Sequence, residues 1–477
     1  MEIKTESLES LCELVVDCPH STPKWTDEGI IVLRNQNIKN GVLNLSTPSY
    51  TNEGDYQKRI KRAVPQAGDI VITREAPMGE VCIIPEGLKC CLGQRQVLLR
   101  PRKDISGEYL FWALQSPYVQ HQISWNEGTG TTVSNVRIPV LKALQIPRHT
   151  YGEDKAASIL SCLANKLELT KATNQTLEKI AQVLFKSWFI DFDPIIDNAL
   201  AAGANVSDFP DAMQHRAEQR KQAQQVIDYK PLPENLRNIF PAEFEQCEEL
   251  SIGIAGWIPK GWKESNTDEE FGIKGGSTPS TKNSDFWEGG QIHWTSPKDL
   301  SGNNTKIILD TSRKVTEAGL AKITSGLLPV DTVLMSSRAP VGYLALTKVP
   351  LAINQGYIAL LCEKTLTPEY TIQFLDSIMD EIKGISGGTT FAEISKKTFR
   401  SIKLVVPTKS VVDAYTSVVR THYEKITENI KQTNTLTETR DYLLPKLISG
   451  ELTIPDSIKT ENIVNHQQPK ESLSNHA

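Results

Sequence analysis

Arginine, glutamine and threonine side chains lie at or next to matched positions of the two halves of this sequence, in loop-like contexts. Arg74 and Arg95 lie in the first half, and Arg338 and Gln355 lie in the second. Arginine can bridge O6 and N7 of guanine, and glutamine can bridge N6 and N7 of adenine, so these residues suit the reading of base edges. Two Gly-Thr-Thr turns offer hydroxyl and amide groups to phosphate oxygens, although simple turn chemistry is the alternative. The four threonines are Thr131, Thr132, Thr389 and Thr390.

A basic cluster at residues 58–62 supplies three further candidate DNA contacts, Arg59, Lys61 and Arg62. Positive side chains attract the phosphate backbone of nucleic acid without regard to sequence. The whole chain has a net charge of −5, but residues 56–150 hold 13 basic against 7 acidic side chains. This local excess is compatible with phosphate contact, and an ordinary solvated helix face is the alternative.

Catalytic motifs do not accompany these residues. The sequence has no Gly-Lys dipeptide, hence no P-loop, and it has no strand-linked GxGxxG and no HExxH motif. Asp211, Glu218 and Lys221 resemble a nuclease metal set only faintly, because they lie in a Gln-rich helical pattern. The eight cysteines form no CxxC pair and no cluster at zinc spacing, which favours structural thiols in a reducing compartment. We therefore expect no catalytic residue, no metal site and no cofactor in this chain.

The sequence repeats itself once, with offsets between 256 and 263 positions. Six short matches recur in the same order; for example, residues 76–79 (Ala-Pro-Met-Gly) return as residues 339–342 (Ala-Pro-Val-Gly). Matches that keep their order indicate duplication. Each copy begins with short strand patterns, such as residues 69–73 and 331–335, and then changes to a long helical pattern.

Both long helical patterns carry apolar residues at alternating spacings of four and three, which average about 3.5 residues, the coiled-coil period. Polar residues, including Asn174 and Asn429, interrupt both patterns near the middle, where they can define the register. The two helices can satisfy each other's apolar seam; the alternative is that each packs on its own copy. Pro445 is expected to end the second helix near Leu444. The expected seam residues are Leu160, Leu163, Leu167, Leu177 and Leu184 in the first helix, and Val419, Ile426, Leu436 and Leu443 in the second.

These patterns predict an α+β protein in which two α/β globular domains, in tandem repeat, are joined by two long helices that form an antiparallel coiled coil. Helices of about 33 residues are roughly 50 Å long, so they could act as a ruler between two half-sites on DNA. Residues 191–255 carry 5 basic and 12 acidic side chains, which indicates an acidic connection. The expected ranges are residues 1–150 for the first domain, 151–192 for the first long helix, 193–255 for the acidic linker, 256–408 for the second domain, 409–450 for the second long helix and 451–477 for a disordered tail.

Targeting signals are not evident. No run of about 18 apolar residues indicates a membrane span. The first residues show no basic-then-apolar signal pattern. We expect a cytoplasmic protein without a membrane partner.

Four segments of the sequence resemble the specificity (S) subunit of type I restriction-modification enzymes. They are residues 184–194 (LFKSWFIDFDP), residues 443–452 (LLPKLISGEL), residues 256–262 (GWIPKGW) and the two Gly-Thr-Thr turns. The resemblance extends over residues 10–454. The first copy departs from the pattern, because it lacks the entry seen at residues 256–262 and has Gly93-Gln94 where the second copy has Asn354-Gln355.

The resemblance implies a non-catalytic DNA-recognition subunit with two target-recognition domains, each of which reads one half of a bipartite sequence in double-stranded DNA. It also implies that the helices set the spacer and dock two methyltransferase (M) subunits, which motor-nuclease (R) subunits then join in a host-defence complex. Trp188, Phe189 and Phe192 are the implied docking residues. S-adenosylmethionine, ATP and Mg would act in the partner subunits.

A second function remains open on the residues alone. A coiled-coil scaffold that binds two protein partners without reading bases would show the same repeat and the same helices. A self-contained nuclease or methyltransferase is not favoured, because its motifs are missing from the sequence.

Overall fold

The computed structural model describes residues 4–125, 135–149, 152–227, 229–302, 305–387 and 392–455 of the 477-residue chain. The chain forms two compact units. The first unit contains residues 1–169 and 433–477, and the second unit contains residues 170–432. Each unit therefore combines one copy of the repeat with part of both long helices. The expected disordered tail lies outside the described residues from position 456 onward.

The first long helix spans Glu153–Phe185 and continues into a π-helical turn at Lys186–Ile190. The second long helix spans Lys409–Ser449. In the first unit, Leu160 shares a core with Leu447. In the second unit, the Asn429 amide donates a hydrogen bond of 2.7 Å to the Asn174 side-chain oxygen. In the same unit, the Tyr415 hydroxyl near the start of the second helix donates to the Ala181 carbonyl near the end of the first, so in both units early positions of one helix face late positions of the other and the helices pair antiparallel. The antiparallel coiled coil expected from the sequence is confirmed.

The burial observed along the two helices agrees with the expected seam. Its members are either fully buried (Leu160, Leu167, Val419, Ile426) or half-buried (Leu163, Leu177, Leu184, Leu436, Leu443). The expected end of the second helix was wrong, because Pro445 lies inside it and the helix continues to Ser449. Proline removes one backbone donor, and the packing of Leu447 and Ile448 in the first unit's core holds the last turn.

The first repeat builds two four-stranded sheets. One is antiparallel, in the order Cys12–Asp17, Gln96–Pro101, Ile70–Thr73, Val81–Ile83. The other has the order Cys90–Leu92, Ile30–Leu33, Tyr50–Thr51, Trp25–Thr26, and its first two strands are parallel. Two small pairs complete the strands, Thr5–Ser7 with Gln145–Pro147 and Ile38–Lys39 with Val42–Leu43. The helices are Leu8–Leu11, Glu53–Arg59, Gly107–Gln115, Pro117–Trp125 and Ile138–Ala143, with a 3₁₀ turn at Asn35–Asn37.

The second repeat reproduces this plan. A five-stranded sheet has the order Gly272–Lys274, Tyr357–Leu361, Val333–Ser336, Leu344–Thr347, Ile307–Ile308, and a three-stranded sheet has the order Arg313–Val315, Ile292–Thr295, Leu351–Ile353. Lys263–Asn266 pairs with Lys403–Val406. The helices are Thr267–Glu270, Glu317–Leu320, Pro368–Ser377, Met379–Gly384 and Lys396–Arg400, with 3₁₀ turns at Ser284–Phe286 and Pro297–Leu300.

Local sequence accounts for the central elements of both copies. Every residue of Ile70–Thr73 and of Val333–Ser336 is buried, as expected for short runs of β-branched and aliphatic residues inside a sheet. Ser106 and Thr367 cap the helices that follow, because each side chain accepts the backbone N–H three positions later. The elements around the candidate site are thus set by the same local signals in each copy.

The acidic stretch expected to be a linker is a folded part of the second unit. It forms helices Asp193–Ala201, Asp211–Ala223 and Glu234–Arg237, a 3₁₀ turn Val206–Asp208, and a strand Phe244–Gln246 that pairs with Trp257–Pro259. Ile196 and Met213 belong to the second unit's core. Arg216 donates two hydrogen bonds of 2.8 Å to the buried Asp193, which balances one of the acidic charges. In the described part of the chain, no helix is long and apolar enough to cross a membrane.

Candidate nucleic-acid interface

A loop follows the fully buried strand Ile70–Thr73 in the first repeat and Val333–Ser336 in the second, and it is held in the same way in both. The Thr73 hydroxyl donates to the Pro77 carbonyl at 2.7 Å, and the Ser336 hydroxyl donates to the Pro340 carbonyl at 2.7 Å. Ala76 and Ala339 have positive φ values of 40° and 56°. The repeated Ala-Pro-x-Gly sequence therefore makes one loop conformation twice.

Two other segments join this loop at the same edge of each repeat. In the first repeat, the Arg74 N–H donates to the Arg95 carbonyl at 2.8 Å, and the Val136 N–H donates to the Arg74 carbonyl at 3.0 Å. In the second repeat, the Ser337 N–H donates to the Gly356 carbonyl at 2.8 Å, and the Ile394 N–H donates to the Ser337 carbonyl at 3.0 Å. We call each meeting point an edge cluster; it contains residues 74–79, 93–95 and 135–136 in the first repeat and residues 337–342, 354–356 and 393–394 in the second.

The matched hydrogen bonds also correct the residue equivalences. Arg74 occupies the place of Ser337, and Arg95 occupies the place of Gly356, so neither is the counterpart of Arg338. Glu75, not Arg74, matches Arg338, because both residues form the bridge to the segment after the Gly-Thr-Thr turn. The two edge clusters share a backbone plan but present different side chains.

Carboxylates hold the candidate arginines of the edge clusters. Arg74 is 12% exposed and places one terminal nitrogen 2.9 and 3.0 Å from the two Asp17 oxygens. Arg95 has a φ of 70° and is paired with Glu75 at 3.1 Å. Arg338 is 3.7 Å from a Glu393 oxygen. Arg74 is therefore a largely covered structural group rather than the base-contacting group expected from sequence, whereas the other two arginines are more exposed.

Arg59 also has a structural position. It is buried, and its guanidinium donates to the backbone carbonyls of Leu92 at 2.9 Å, Ser21 at 3.0 Å and Pro19 at 3.3 Å. These bonds tie the loop that follows the strand Cys12–Asp17 to the edge strand Cys90–Leu92 of the other sheet. The assignment of Arg59 to a DNA contact is corrected, because its donors face carbonyls inside the fold. Lys61 and Arg62 are exposed.

Replacing Arg59 by Met should destabilise the first unit by roughly 2–4 kcal/mol, because a buried guanidinium is lost and three carbonyls, of which that of Leu92 is buried, lose a charged donor. Hydrogen exchange of the amides in Cys90–Leu92 would measure this loss. Lys61→Met, on an exposed neighbour, is the control and should leave that exchange unchanged. Equal protection in both variants would contradict the structural role.

Gln355 is exposed and accepts a hydrogen bond of 2.8 Å from the Thr278 hydroxyl. Its counterpart Gln94 donates to the His20 carbonyl at 2.5 Å. Each edge cluster thus also contacts a loop near the start of its repeat, at residues 18–24 in the first and 275–283 in the second. The remaining candidate contacts, Thr131, Thr132, Thr389 and Thr390, lie outside the described residues.

The aromatic residues expected to dock a partner are buried. Trp188 and Phe189 pack edge-on against Tyr415, with ring centroids 6.1 and 5.2 Å apart, and Phe192 packs against Trp262 at 5.7 Å. Burial raises the pKa of the Tyr415 phenol far above its ordinary value, and its hydroxyl donates to the Ala181 carbonyl at 3.2 Å. The docking assignment is corrected, because the π-helical turn directs these rings into the second unit's core.

Other chemistry-bearing groups do not assemble into a reactive site in the described ranges. Glu218 accepts from Gln222 at 2.9 Å, one turn further along its own helix, and no group of three or more His, Cys, Asp or Glu residues is arranged to hold a metal there. Burial raises the pKa of Cys82 and of Cys90 to about 12, which keeps these thiols protonated near neutral pH.

Comparisons with known proteins agree with this architecture. A model of the type I restriction modification DNA specificity domain matches twice, at residues 2–179 and 259–437. The chain is 28% identical over 421 residues to the type I restriction enzyme HindI specificity subunit of Haemophilus influenzae, with 84% of this chain and 90% of that protein covered. It is 33% identical over 202 residues to the MjaIX specificity subunit of Methanocaldococcus jannaschii, which covers 42% of this chain and 46% of that protein.

A solved structure shares the fold. The type I restriction-modification S subunit of M. genitalium matches with a TM-score of 0.53 and 17% identity, covering 94% of this chain and 96% of that one. The double match of the family model covers most of the sequence, and its two parts coincide with the two repeats and their helices. The chain belongs to the specificity-subunit family of type I restriction-modification systems.

Proposed function

We propose that this chain is the sequence-reading subunit of a type I restriction-modification complex and that each repeat reads one half of a bipartite DNA target. The observation that carries the proposal is the duplicated edge cluster, in which the same three segments meet through matched hydrogen bonds. Its exposed side chains differ, with Arg95 in one copy and Gln355 in the other. A shared frame with different side chains suits the reading of two different half-sites.

The chemistry belongs to partner subunits in this proposal. A methyltransferase subunit uses S-adenosylmethionine, and a motor-nuclease subunit uses ATP and Mg, so this chain carries no cofactor of its own. Family membership and the absence of the corresponding motifs from the sequence support this division. A cytoplasmic location follows from the DNA target.

DNA binding by this chain, purified together with its methyltransferase subunit, tests the proposal. We expect binding that depends on sequence and weakens steeply as salt rises, because phosphate contacts release counterions. Binding that is indifferent to sequence would favour the scaffold alternative. Methylation of DNA by this chain alone with S-adenosylmethionine would contradict the assignment of catalysis to a partner.

The exposed face of the first long helix is the surface that we propose for the methyltransferase subunit. Ile180 and Val183 are 46% and 56% exposed, and Ile190, in the π-helical turn that follows, is also exposed. An apolar stripe on a helix gains free energy when a partner covers it. These residues take the place of Trp188, Phe189 and Phe192, which the core already uses.

The double variant Ile180→Lys/Val183→Lys should lose the methyltransferase subunit, with affinity roughly tenfold or more lower, because two apolar contacts become charged. Co-purification followed by analytical ultracentrifugation would measure the loss. Val226→Lys/Ile227→Lys changes two exposed apolar residues outside the helix and is the matched control. Unchanged assembly of the helix variant would exclude this face.

A further inference from the structure

We infer that Arg34 in the first repeat and Arg313 in the second are specificity-determining residues, each supported by a tryptophan and each reading a guanine in its own half-site. The inference rests on the proposed DNA-recognition function and names the side chains that perform it. Neither residue belongs to the candidate set that sequence suggested.

Both guanidinium groups lie over an indole ring. The central guanidinium carbon of Arg34 is 5.1 Å from the Trp25 ring centroid. That of Arg313 is 3.5 Å from the Trp287 centroid and 5.4 Å from the Trp294 centroid. Arg34 and Arg313 are exposed, and so is Trp25. Stacking on an aromatic face restrains the guanidinium plane and leaves its in-plane N–H donors for a ligand.

The two arginines reach the same point of the fold from different strands. Ile31 in the first repeat matches His293 in the second, because each pairs with the first residue of the parallel strand, Cys90 or Leu351. By this register, Ser49 lies in the first repeat where Arg313 lies in the second.

The side chain of Arg34 extends from the end of its strand to the Ser49 hydroxyl, at 3.4 Å. A guanidinium is therefore supplied at one equivalent position in both copies, although the sequence places it on different elements. Arg34 and Arg313 do not occupy matched positions of the duplicated sequence, so duplication does not explain why both guanidinium groups lie there. A functional requirement for a guanidinium at this place in each repeat explains it.

The loop at residues 275–283 holds both tryptophans that support Arg313 in place. The Trp287 indole N–H donates to the Ser280 carbonyl at 3.0 Å, and the Trp294 N–H donates to the Ser277 carbonyl at 3.3 Å. The neighbouring Thr278 hydroxyl donates to Gln355 at 2.8 Å. This loop thus fixes the tryptophans that lie under Arg313 and also contacts the exposed Gln355 of the edge cluster. Arg313 and Gln355 therefore belong to one surface.

Charge pairing separates these two arginines from the edge-cluster arginines. Arg74, Arg95 and Arg338 each have a carboxylate within 4 Å, whereas among the described residues no carboxylate lies that close to Arg34 or Arg313. A guanidinium held by an aromatic face keeps its positive charge unneutralised, and apart from the long bond from Arg34 to Ser49 the N–H donors of both groups are available to a ligand. The preferred target of such a fork in the major groove is O6 and N7 of guanine.

Selection from a pool of random duplex DNA by the complex of the full chain with its methyltransferase subunit tests the inference. Arg313→Ala should lose the preference for guanine at one position of one half-site by roughly 5- to 150-fold, and Arg34→Ala should do so in the other half-site. Arg313→Lys should keep most of the affinity but lose the discrimination, because lysine lacks the planar fork. Trp287→Leu should weaken the same preference, and Trp287→Phe should retain it.

Arg400→Ala is the matched control, since Arg400 is an exposed arginine of the second repeat that is paired with Asp268 at 3.1 Å. It should leave every base preference unchanged. Unaltered preferences in Arg34→Ala and Arg313→Ala would overturn the inference, and so would an equal loss of affinity for all sequences, which indicates phosphate contact. If the wild-type complex selects no sequence at all, the proposed function itself fails.

Discussion

Exchanging residues 1–150 for the corresponding repeat of another specificity subunit should change one half of the recognised DNA sequence and leave the other half intact. The expected effect is a complete change of preference at one half-site, because the first repeat has its own sheets, its own core and its own edge cluster. Mapping of methylated sites in DNA from cells that carry the chimera and its partner subunits would measure it.

The exchange has a structural condition. The Tyr109 hydroxyl donates to the carbonyls of Pro147 at 3.0 Å and of Ile448 at 3.4 Å, and Leu160 and Leu447 complete the same core. The donor repeat must therefore keep a tyrosine and a similar apolar surface at these contacts. A matching exchange of residues 256–408 is the control and should alter the opposite half-site. A chimera that folds but changes both half-sites, or neither, would contradict one reader for each half.

Replacing Tyr415 by Ala should lower the free energy of unfolding of the second unit by roughly 3–5 kcal/mol, because a large buried ring leaves a cavity. Its ring lies among Phe185, Phe189 and Tyr370, with centroid distances of 5.8, 5.2 and 6.5 Å. The same site joins the two long helices, so the loss is expected first in their pairing.

Urea unfolding followed by circular dichroism, with hydrogen exchange across Lys409–Ser449, would measure the effect. Tyr415→Phe keeps the ring and removes only the hydroxyl that donates to Ala181, so it should cost about 1 kcal/mol. Tyr442→Ala, on an exposed part of the same helix, is the control. Equal stability of the Tyr415→Ala and Tyr442→Ala variants would show that the ring cluster does not hold the helices together.

The large features of the fold could be predicted because they follow from periodic patterns. The spacing that included Leu160, Leu167, Val419 and Ile426 required two long helices with one apolar side each, and the structure buries all four residues, with Leu160 in the first unit's core and Val419 and Ile426 in the second unit's core. Asn174 and Asn429 interrupted both patterns, and they meet in a hydrogen bond. Burial of an apolar side is a local requirement, so sequence periodicity expresses it directly.

The candidate site was only partly predictable, because the role of an arginine depends on what faces it. Arg59 and Arg74 have the same residue type and similar loop-like surroundings in sequence as Arg95, yet carbonyls and Asp17 engage them inside the fold. Arg34 is not part of a recognisable sequence motif, because the Trp25 indole that supports it and the Ser49 hydroxyl come from other segments of the chain. The aromatic run ending at Phe192 looked like a partner surface and is part of a core.

The sequence by itself determined that the chain is duplicated, that each copy ends in a long helix with an apolar seam, and that it resembles the specificity subunits, because order, period and short motifs are properties of the chain. Only the tertiary structure decided which polar side chains remain available to a ligand. Neighbours that are remote in sequence make that choice: a carboxylate or a carbonyl occupies the donors of Arg74 and Arg59, whereas Arg34 and Arg313 lie over aromatic faces and have no carboxylate partner among the described residues.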